Sequence, residues 1–300
     1  MPPAASSPAS TARVHLALLT VAALFSLNYI VSKVAMRAFN PIAFAYLRVL
    51  GAALVMQFVL PRDRTPMSKT DERALIGFAI LGVVLNQTLF LAGLAFTSAH
   101  IAAILITAMP VFALGAAIVV GRERATAMKI GGILFAAAGA LLVVGFEGVE
   151  GTTRSLIGAI LIIINSLSFA MYLVLSKPMM ARLTARRVIR RMFVVSAIVM
   201  IPIAAFPLAR QTWTMIPREA WLGLAFVIMG PSVVAYLLNA WALTHAESSL
   251  VATYTYVQPV LTAILAAAFL HEHIKRTVIV AAAMIFAGVY LAGLRERRRQ

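Results

Sequence analysis

The 300-residue chain contains no cysteine and few acidic residues, and both deficits exclude certain classes of protein and of functional site. Without cysteine there is no disulfide framework, no thiol nucleophile and no cysteine-ligated metal site. Only 10 residues are Asp or Glu, against 26 Lys or Arg, and charged residues of either sign make up 12% of the chain. Soluble domains are about a quarter charged. The sequence is therefore not that of an ordinary soluble protein.

Apolar sequence is what the chain has in abundance. Hydrophobic residues make up 62% of it and the mean hydropathy is +0.94, whereas soluble domains are about 45–50% apolar. A membrane-spanning helix needs about 20 apolar residues, so about ten such helices with short loops use most of the chain. We predict an all-α integral membrane protein with ten transmembrane helices. The apolar runs cover residues 14–34, 41–60, 74–95, 98–120, 127–146, 155–176, 190–209, 219–243, 247–270 and 276–294.

The basic residues orient these predicted spans. The net charge of +16 does not indicate nucleic-acid binding, because the charges lie between apolar runs and form no basic stripe with exposed aromatic residues. The larger basic groups fall in the loops after the second, fourth and sixth spans and in the tail after the tenth. Lys and Arg are enriched on the cytoplasmic side of membrane proteins. We therefore predict that both termini lie in the cytoplasm.

The two halves of the chain resemble each other. In one register, Pro110 aligns with Pro259 and Glu123 with Glu272, at the fourth and ninth spans. An odd number of spans per half gives the halves opposite orientations, and inverted repeats are common in secondary transporters, with the substrate site near the midplane between them. We predict two inverted five-helix repeats around a central cavity. The predicted segments are a disordered cytoplasmic tail (1–12), the first repeat (13–146), a linker (147–154), the second repeat (155–294) and a basic cytoplasmic tail (295–300).

These features resemble the EamA family of the drug/metabolite transporter superfamily. The resemblance rests on the Asn-containing first span (FSLNYIVSK), on Pro41 with Arg48 in the second, and on the Pro-x(12)-Glu ends of the fourth and ninth. It implies a cavity formed by spans one, three and four with six, eight and nine, with five and ten at the periphery. It also implies export of small metabolites by alternating access. The chain is especially similar to the amino-acid exporters of that family, although the family does not fix the substrate.

Polar side chains within the spans fall on shared helix faces. Polar groups are costly in hydrocarbon, so they face a cavity or a partner helix, and spacings of three, four or seven residues place them on one face. Amides are suited to the carboxylate or ammonium of a zwitterion, and rings to an apolar side chain. The alternative is hydrogen bonding that only holds helices together. The predicted substrate-binding residues are Asn28, Tyr29, Asn86, Gln87, Asn165, Tyr172, Ser232, Tyr236, Asn239, Tyr254 and Gln258.

Two prolines and three charged residues each have two interpretations. Pro110 and Pro259 remove a backbone donor and bend a helix, so they are predicted hinges or else static bends. Glu123 and Glu272 are gate or proton sites, or interfacial anchors held by local ion pairs; their headgroup-level position favours anchors. Arg48 either attracts a substrate carboxylate or extends to the membrane surface.

No acidic residue lies near the middle of a predicted span. Proton antiporters usually carry an ionisable relay inside the membrane, and the small multidrug pumps of the resembled superfamily use a first-span glutamate where this chain has Asn28. The sequence also contains no Walker-type phosphate loop and no metal-ligand motif. We therefore predict no catalytic residues, no metal and no cofactor.

Together these features predict a secondary transporter rather than an enzyme. It would export amino acids, including large apolar or aromatic ones, across a bacterial inner membrane by alternating access, as a uniporter or exchanger. Its partners would be the small-molecule substrate and the lipid bilayer, without nucleic acid, and it would act as a monomer. The alternatives are an exporter of other metabolites or drugs, such as an organic-anion or nucleotide-sugar carrier, a membrane-embedded enzyme, and a channel. An anion carrier would need several cavity cations, and an enzyme would need clustered His, Asp or Glu.

Overall fold

The computed structural model is helical in all its regular elements and describes residues 8–60, 67–122, 124–149, 152–245, 254, 257–273 and 276–293. The first half contains α1 (Pro8–Ala35), α2 (Pro41–Val59), α3 (Lys69–Ala79), the π-helical segment π1 (Ile80–Val84), α4 (Leu85–Phe96), α5 (Ala99–Ile106), α6 (Met109–Val119) and α7 (Ala127–Val149). The second half contains α8 (Thr153–Arg182), α9 (Ala185–Val199), α10 (Ile201–Ala209), α11 (Arg218–Val227), the π-helical segment π2 (Ile228–Val234), α12 (Ala235–His245), α13 (Val257–Leu270) and α14 (Arg276–Gly293).

Many of these helices are long and apolar enough to cross a bilayer. Within the described residues, six qualify by length and composition: Ala12–Ala35, Pro41–Val59, Lys69–Phe96, Ala99–Val119, Thr153–Met180 and Arg218–Asn239. The pair α9–α10, bent by 54°, makes a seventh if it is one broken span. Ala127–Gly139 and α13 are shorter apolar helices, and α14 falls in the predicted tenth span. The chain is thus a multi-pass membrane protein, and the count of ten spans stays a prediction.

Local sequence explains where several helices begin. The side chain of Asn40 accepts a hydrogen bond from the backbone N–H of Ile42, 2.9 Å away, and Pro41 occupies the first turn of α2, where a missing N–H costs nothing. Thr152 and Ser155 form a reciprocal capping box at the start of α8. These caps satisfy N–H groups that the first turn leaves without a partner.

The ends of the predicted segments differ in detail from the helices. α1 begins at Pro8, inside the predicted tail 1–12, while residues 1–7 and the predicted tail 295–300 lie outside the described residues. α7 extends to Val149 and α8 begins at Thr153, so helix occupies part of the predicted linker 147–154. These helices therefore extend a few residues beyond the apolar runs from which they were predicted.

Helix packing separates a buried interior from an apolar outer surface. Phe58 and Val119 are 85% and 86% exposed, as expected of side chains that face lipid rather than water. The main buried cluster draws on helices from both halves of the chain. α7 and α14 pack along each other, and α14 also contacts α6.

Glycines allow two close approaches against α8. A Cβ atom on Gly158 would lie 2.8 Å from the carbonyl oxygen of Gly93, so these two glycines let α4 and α8 meet backbone to backbone. A Cβ atom on Gly82, in π1, would lie 2.6 Å from the ring of Tyr172. The second approach places an aromatic ring against a π-helical segment. Such segments often occur at functional sites.

Candidate substrate site

A buried arginine lies near the middle of α2. Arg48 is 2% exposed, so its side chain does not extend to the surface. Its Nε donates a hydrogen bond to Oγ of Ser232 in π2, 2.7 Å away, and Ser232 in turn donates to the carbonyl of Val227 at 2.8 Å. Nη1 of Arg48 is also buried and has no hydrogen-bond partner among the described residues. The guanidinium is thus positioned by π2, but only part of its hydrogen-bonding capacity is used within the described residues.

Tyr236 in α12 connects this arginine to other predicted site residues. Its hydroxyl interacts with the guanidinium of Arg48, with the hydroxyl of Tyr172 and with the side chain of Gln87. Gln87 is 4% exposed, and its Oε1 has no hydrogen-bond partner in the described part of the chain. We call Arg48, Ser232, Tyr236, Gln87 and Tyr172 the Arg48 cluster. Its residues come from α2, α4, α8, π2 and α12. They lie in the interior of the long helical stretches that these elements form, away from the helix ends.

Aromatic rings flank the Arg48 cluster. Rings at centroid distances of about 4.5–7 Å in tilted or edge-on arrangements attract one another beyond their area of burial. Such pairs leave apolar ring faces and edges beside the polar groups. The pairs are Phe25–Tyr236 at 6.4 Å, Phe193–Tyr236 at 5.6 Å, Tyr29–Phe90 at 5.3 Å and Phe169–Tyr172 at 5.3 Å.

The predicted asparagines make contacts within the protein. Nδ2 of Asn165 donates to the carbonyl of Asn86 at 2.6 Å, which links α8 to α4. Nε2 of Gln87 donates to Oδ1 of Asn86 at 3.3 Å. Asn28 accepts a hydrogen bond from Ser32, one turn further along α1, at 3.1 Å. Asn165 therefore serves at least as an interhelical contact, and Asn86 connects it to the Arg48 cluster.

Three predicted residues lie elsewhere. The hydroxyl of Tyr254 hydrogen-bonds to Nδ1 of His15. Gln258 is 9% exposed, and its backbone carbonyl accepts a hydrogen bond from Ser26 at 3.3 Å. Asn239 is half-buried in α12, three residues after Tyr236. The predicted set thus divides into a group around Arg48 and a second group along α1.

The predicted hinges occupy helix starts. Pro110 is in the first turn of α6, directly after the break at 107–108 that separates α5 from α6. Pro259 is in the first turn of α13, and residues 255–256 before it lie outside the described residues. Proline is tolerated in a first turn because the N–H it lacks would have no helical partner there.

A second charged cluster lies at one end of the bundle. Glu272, just after α13, accepts hydrogen bonds from Nζ of Lys33 at 3.0 Å, from Nδ1 of His100 at 2.8 Å and from the backbone N–H of Ala99 at 3.0 Å. Lys33 also donates to the carbonyl of Thr97 at 2.6 Å. We call these five residues the Glu272 cluster. It ties the end of α1 and the turn between α4 and α5 to the end of α13.

The electrostatics of Glu272 match these contacts. Burial raises the pKa of its carboxyl, but the hydrogen bonds from His100 and Ala99 and the charge of Lys33 outweigh that effect and hold the pKa at about 2. The partners come from distant helices rather than from the adjacent His271 and His273, which the anchor interpretation assumed. The carboxylate is therefore a cross-link between helices.

The opposite end of the bundle is built differently. Glu123, which the sequence aligns with Glu272, lies outside the described residues. Lys177, near the end of α8, is exposed. Arg182 pairs with Asp71 at 2.8 Å across α8 and α3. Within the described part of the chain, no three His, Asp or Glu side chains converge to hold a metal ion.

The predicted substrate-binding residues include none in α2. Arg48 is not among them, because an arginine in an apolar run also suits a side chain that extends to the surface. The signal that favours burial is its position: it is the eighth residue of α2, with apolar sequence on both sides. Phe193 in α9 carried no such signal, because one aromatic among apolar residues does not stand out.

Comparisons with known proteins agree with this membrane architecture. The sequence model of the EamA-like transporter family matches the chain twice, at residues 12–145 and 156–294. The chain is 28% identical to an uncharacterized transporter of Archaeoglobus fulgidus, over 95% of this chain and 99% of that protein. It is 22% identical to a WAT1-related protein of Arabidopsis thaliana, over 93% of this chain and 84% of that protein. One solved crystal structure shares the fold, with a TM-score of 0.64 and 16% identity over 98% of this chain and 100% of that one. The chain belongs to the EamA-like transporter family of the drug/metabolite transporter superfamily.

Proposed function

We propose that the protein exports amino acids, including large apolar and aromatic ones, across a bacterial inner membrane by alternating access. The observation that carries this proposal is the Arg48 cluster, a group of polar side chains and rings buried near the middle of apolar helices. Polar and ionisable groups at that depth are expensive, and in membrane proteins they mark solute pathways. The combination of donors, acceptors and rings suits a solute that has charged groups and an apolar side chain.

The proposed transporter is built of two inverted five-helix repeats, and two observations support this architecture. The family model matches each half of the chain separately. Each half also contains a π-helical segment, π1 in Lys69–Phe96 and π2 between α11 and α12. Transporters built from inverted repeats bind their solute between the halves, at irregular stretches of helix. In this interpretation, π1 and π2 are corresponding segments on either side of the site.

The difference between the two ends supports alternating access. The Glu272 cluster closes one end by tying three segments together, whereas Lys177 at the other end is exposed. With both termini in the cytoplasm, the closed end is the external one. The break before Pro110 and the proline in the first turn of α13 would be the hinges at which the helices tilt as the closed end opens.

The driving force in this proposal is the gradient of the solute itself. The Arg48 cluster contains no Asp or Glu, and the ten acidic residues of the chain all lie outside the middle of the predicted spans. A buried carboxylate that could exchange a proton for the solute is therefore missing from the sequence. The protein would act, as a monomer, as a uniporter or exchanger rather than as an enzyme or a proton-coupled pump.

Uptake into proteoliposomes tests the proposal. Purified protein should transport members of a panel of labelled L-amino acids with saturable kinetics, and an imposed proton gradient without a solute gradient should not accelerate the flux. Asn239→Ala, Tyr254→Ala and Gln258→Ala should impair transport, while Met215→Ala, at a 77% exposed side chain, should not. Flux that rises linearly with concentration would indicate a channel. A failure to transport any amino acid would contradict the proposal.

An organic-anion carrier is the second candidate, and Arg48 is the observation that favours it. A buried cation attracts any anion of suitable size. Nucleotide sugars and other multiply charged anions would need several cations at the site, however, and the Arg48 cluster supplies one. The same uptake panel, extended to mono- and dicarboxylates, distinguishes the two candidates.

A further inference from the structure

The charge of Arg48 has no acidic partner in the part of the protein that the structure describes. Among the described residues, Asp71 pairs with Arg182, Glu72 lies 3.9 Å from Arg191, and Glu272 pairs with Lys33 and His100. None of these carboxylates contacts Arg48, and the sequence places no acidic residue in the middle of a predicted span. A buried cation without a counter-charge is strongly unfavourable. Arg48 is nonetheless buried, with no counter-charge from the described residues.

The free hydrogen-bonding atoms around Arg48 are complementary to a zwitterion. Nη1 of Arg48 is a buried donor without a partner, and Oε1 of Gln87 is a buried acceptor without a partner, among the described residues. Both side chains interact with the hydroxyl of Tyr236, so they lie near the same end of that side chain. A charged donor and a neutral acceptor near each other match a carboxylate and an ammonium attached to the same carbon.

We infer that Arg48 binds the carboxylate of the transported solute and that Oε1 of Gln87 accepts a hydrogen bond from its ammonium group. The substrate class is therefore the free α-amino acid. Ser232 positions the guanidinium through Nε, which leaves Nη1 directed to the ligand. This inference rests on the proposed transport function and specifies what the central site recognises.

Charge balance favours a carboxylate over a phosphate. One guanidinium neutralises one negative charge, and Ser232, Tyr236, Gln87 and Tyr172 are all uncharged when buried. A phosphate dianion would leave a net negative charge in the bundle, at a large desolvation cost. The rings of Phe25 and Phe193, which contact Tyr236, provide an apolar surface for a side chain. A monocarboxylate with an apolar side chain fits these groups.

Pairing of the charge also affects the transport cycle. With substrate bound, the guanidinium of Arg48 is paired with a carboxylate, whereas the empty carrier has no carboxylate at that position among the described residues; the zwitterion itself leaves the net charge of the site unchanged. The empty form is therefore disfavoured in any closed intermediate relative to the loaded form. We expect exchange of one amino acid for another to be faster than net export.

Thermal unfolding with three related probes tests the inference. The probes are L-phenylalanine, phenethylamine, which lacks the carboxylate, and 3-phenylpropionate, which lacks the ammonium. L-phenylalanine should raise the unfolding temperature of the wild-type protein, and each analogue should need at least about tenfold higher concentration for the same shift, a factor that corresponds to one lost charge-assisted contact. Gln87→Leu should reduce the difference between L-phenylalanine and 3-phenylpropionate.

Arg48→Met separates binding from packing. Because it removes a buried unpaired charge, Arg48→Met should unfold at the same temperature as the wild type or higher, and L-phenylalanine should no longer protect it. Arg210→Met removes an exposed arginine, which stacks on Phe206, and is the matched control: L-phenylalanine should protect it as it protects the wild type. A lower unfolding temperature for Arg48→Met, together with equal protection of the wild type by phenethylamine, would show that Arg48 only packs the bundle.

The outcomes distinguish this inference from the transport proposal. If Arg48→Met folds and still transports L-phenylalanine at the wild-type rate, the inference is wrong and amino-acid export stands. If 3-phenylpropionate protects the wild type but not Arg48→Met, while no amino acid is transported, the carboxylate site stands and amino-acid export is wrong. If no probe protects the wild type and none is transported, both are contradicted.

Discussion

Lys33 and Arg48 lie 15 residues apart in the sequence, and the structure treats their charges in opposite ways. Lys33 is 26% exposed at the end of α1 and pairs with Glu272 at 3.0 Å. Arg48 is 2% exposed near the middle of α2, and no carboxylate in the described part of the chain pairs with it. Matched charges cross-link helices at the end of the bundle, whereas the unmatched charge at the centre leaves a place for the charge of a ligand.

Removing the unmatched charge is expected to have the largest effect on transport. Arg48→Met should lower the flux of L-phenylalanine into proteoliposomes by about 30-fold, which corresponds to the ~2 kcal/mol of a hydrogen bond to a charged group. Initial rates of labelled uptake measure this effect. Arg48→Lys should recover only part of the rate, because an ammonium lacks the planar pair of donors. Unchanged flux in a well-folded Arg48→Met variant would show that the charge of Arg48 does not bind the solute.

Removing the matched charge should act on conformation instead. Glu272→Gln loses the ion pair with Lys33 and should lower the free energy of unfolding by about 1–3 kcal/mol, as for hydrogen bonds to charged groups. It should also make the interior more accessible from that end. The chain has no cysteine, so Ser26→Cys introduces a single thiol that reports this through labelling by an impermeant maleimide. Labelling of Ser26→Cys that is equally slow with and without the added Glu272→Gln substitution would show that the cluster does not close that end.

A packing change near the centre tests whether the Arg48 cluster depends on its exact geometry. Gly82→Ala places a methyl group against the ring of Tyr172, whose Cγ would be 2.6 Å away. Overpacking of this kind costs about 1–3 kcal/mol, and we expect slower transport with a moderate fall in unfolding temperature. Gly77→Ala, where a Cβ atom meets nothing within 4 Å, is the control. Equal behaviour of the two variants would mean that the Tyr172 ring adapts freely.

Acid should weaken the end cluster by a smaller amount. The pKa of Glu272 is lowered from 4.5 to about 2 by its partners, so its contribution to stability is complete above pH 4.5 and is lost as the pH falls toward 2. Unfolding temperatures measured between about pH 6 and about pH 3.5 should fall more for the wild type than for Glu272→Gln. Parallel curves for the two proteins would show that the carboxylate is not held in its ionised form.

The helices follow from the sequence more directly than the site does. Apolar runs and caps such as Asn40–Pro41 are local signals, so α2 is predicted nearly to its ends. π2 has a local signal in Pro231, which removes a backbone donor inside the helix. π1 contains no proline, and there Gly82 admits the ring of Tyr172, a contact that only packing reveals. For Glu272 the sequence suggests its histidine neighbours as partners. Lys33 and His100 become its partners only when distant helices meet, and hydrophobicity does not predict that meeting.

The burial of Arg48 is another feature that the sequence alone does not predict. An apolar run around an arginine is compatible with burial or with extension to the surface, and the distinction depends on whether another helix offers a partner. Ser232 in π2 is that partner, and it lies in the other half of the chain. The types of residue at the site were predictable, and their grouping around one arginine was not.

Counterflow tests the account most directly. Proteoliposomes preloaded with unlabelled L-phenylalanine should take up labelled L-phenylalanine faster than empty ones, because a carrier whose central guanidinium is paired with the carboxylate of the substrate reorients more readily than an empty one. Preloading with phenethylamine should give no such acceleration. Labelled uptake that is unaffected by internal L-phenylalanine, or equally accelerated by phenethylamine, would contradict a carrier with a carboxylate site at Arg48.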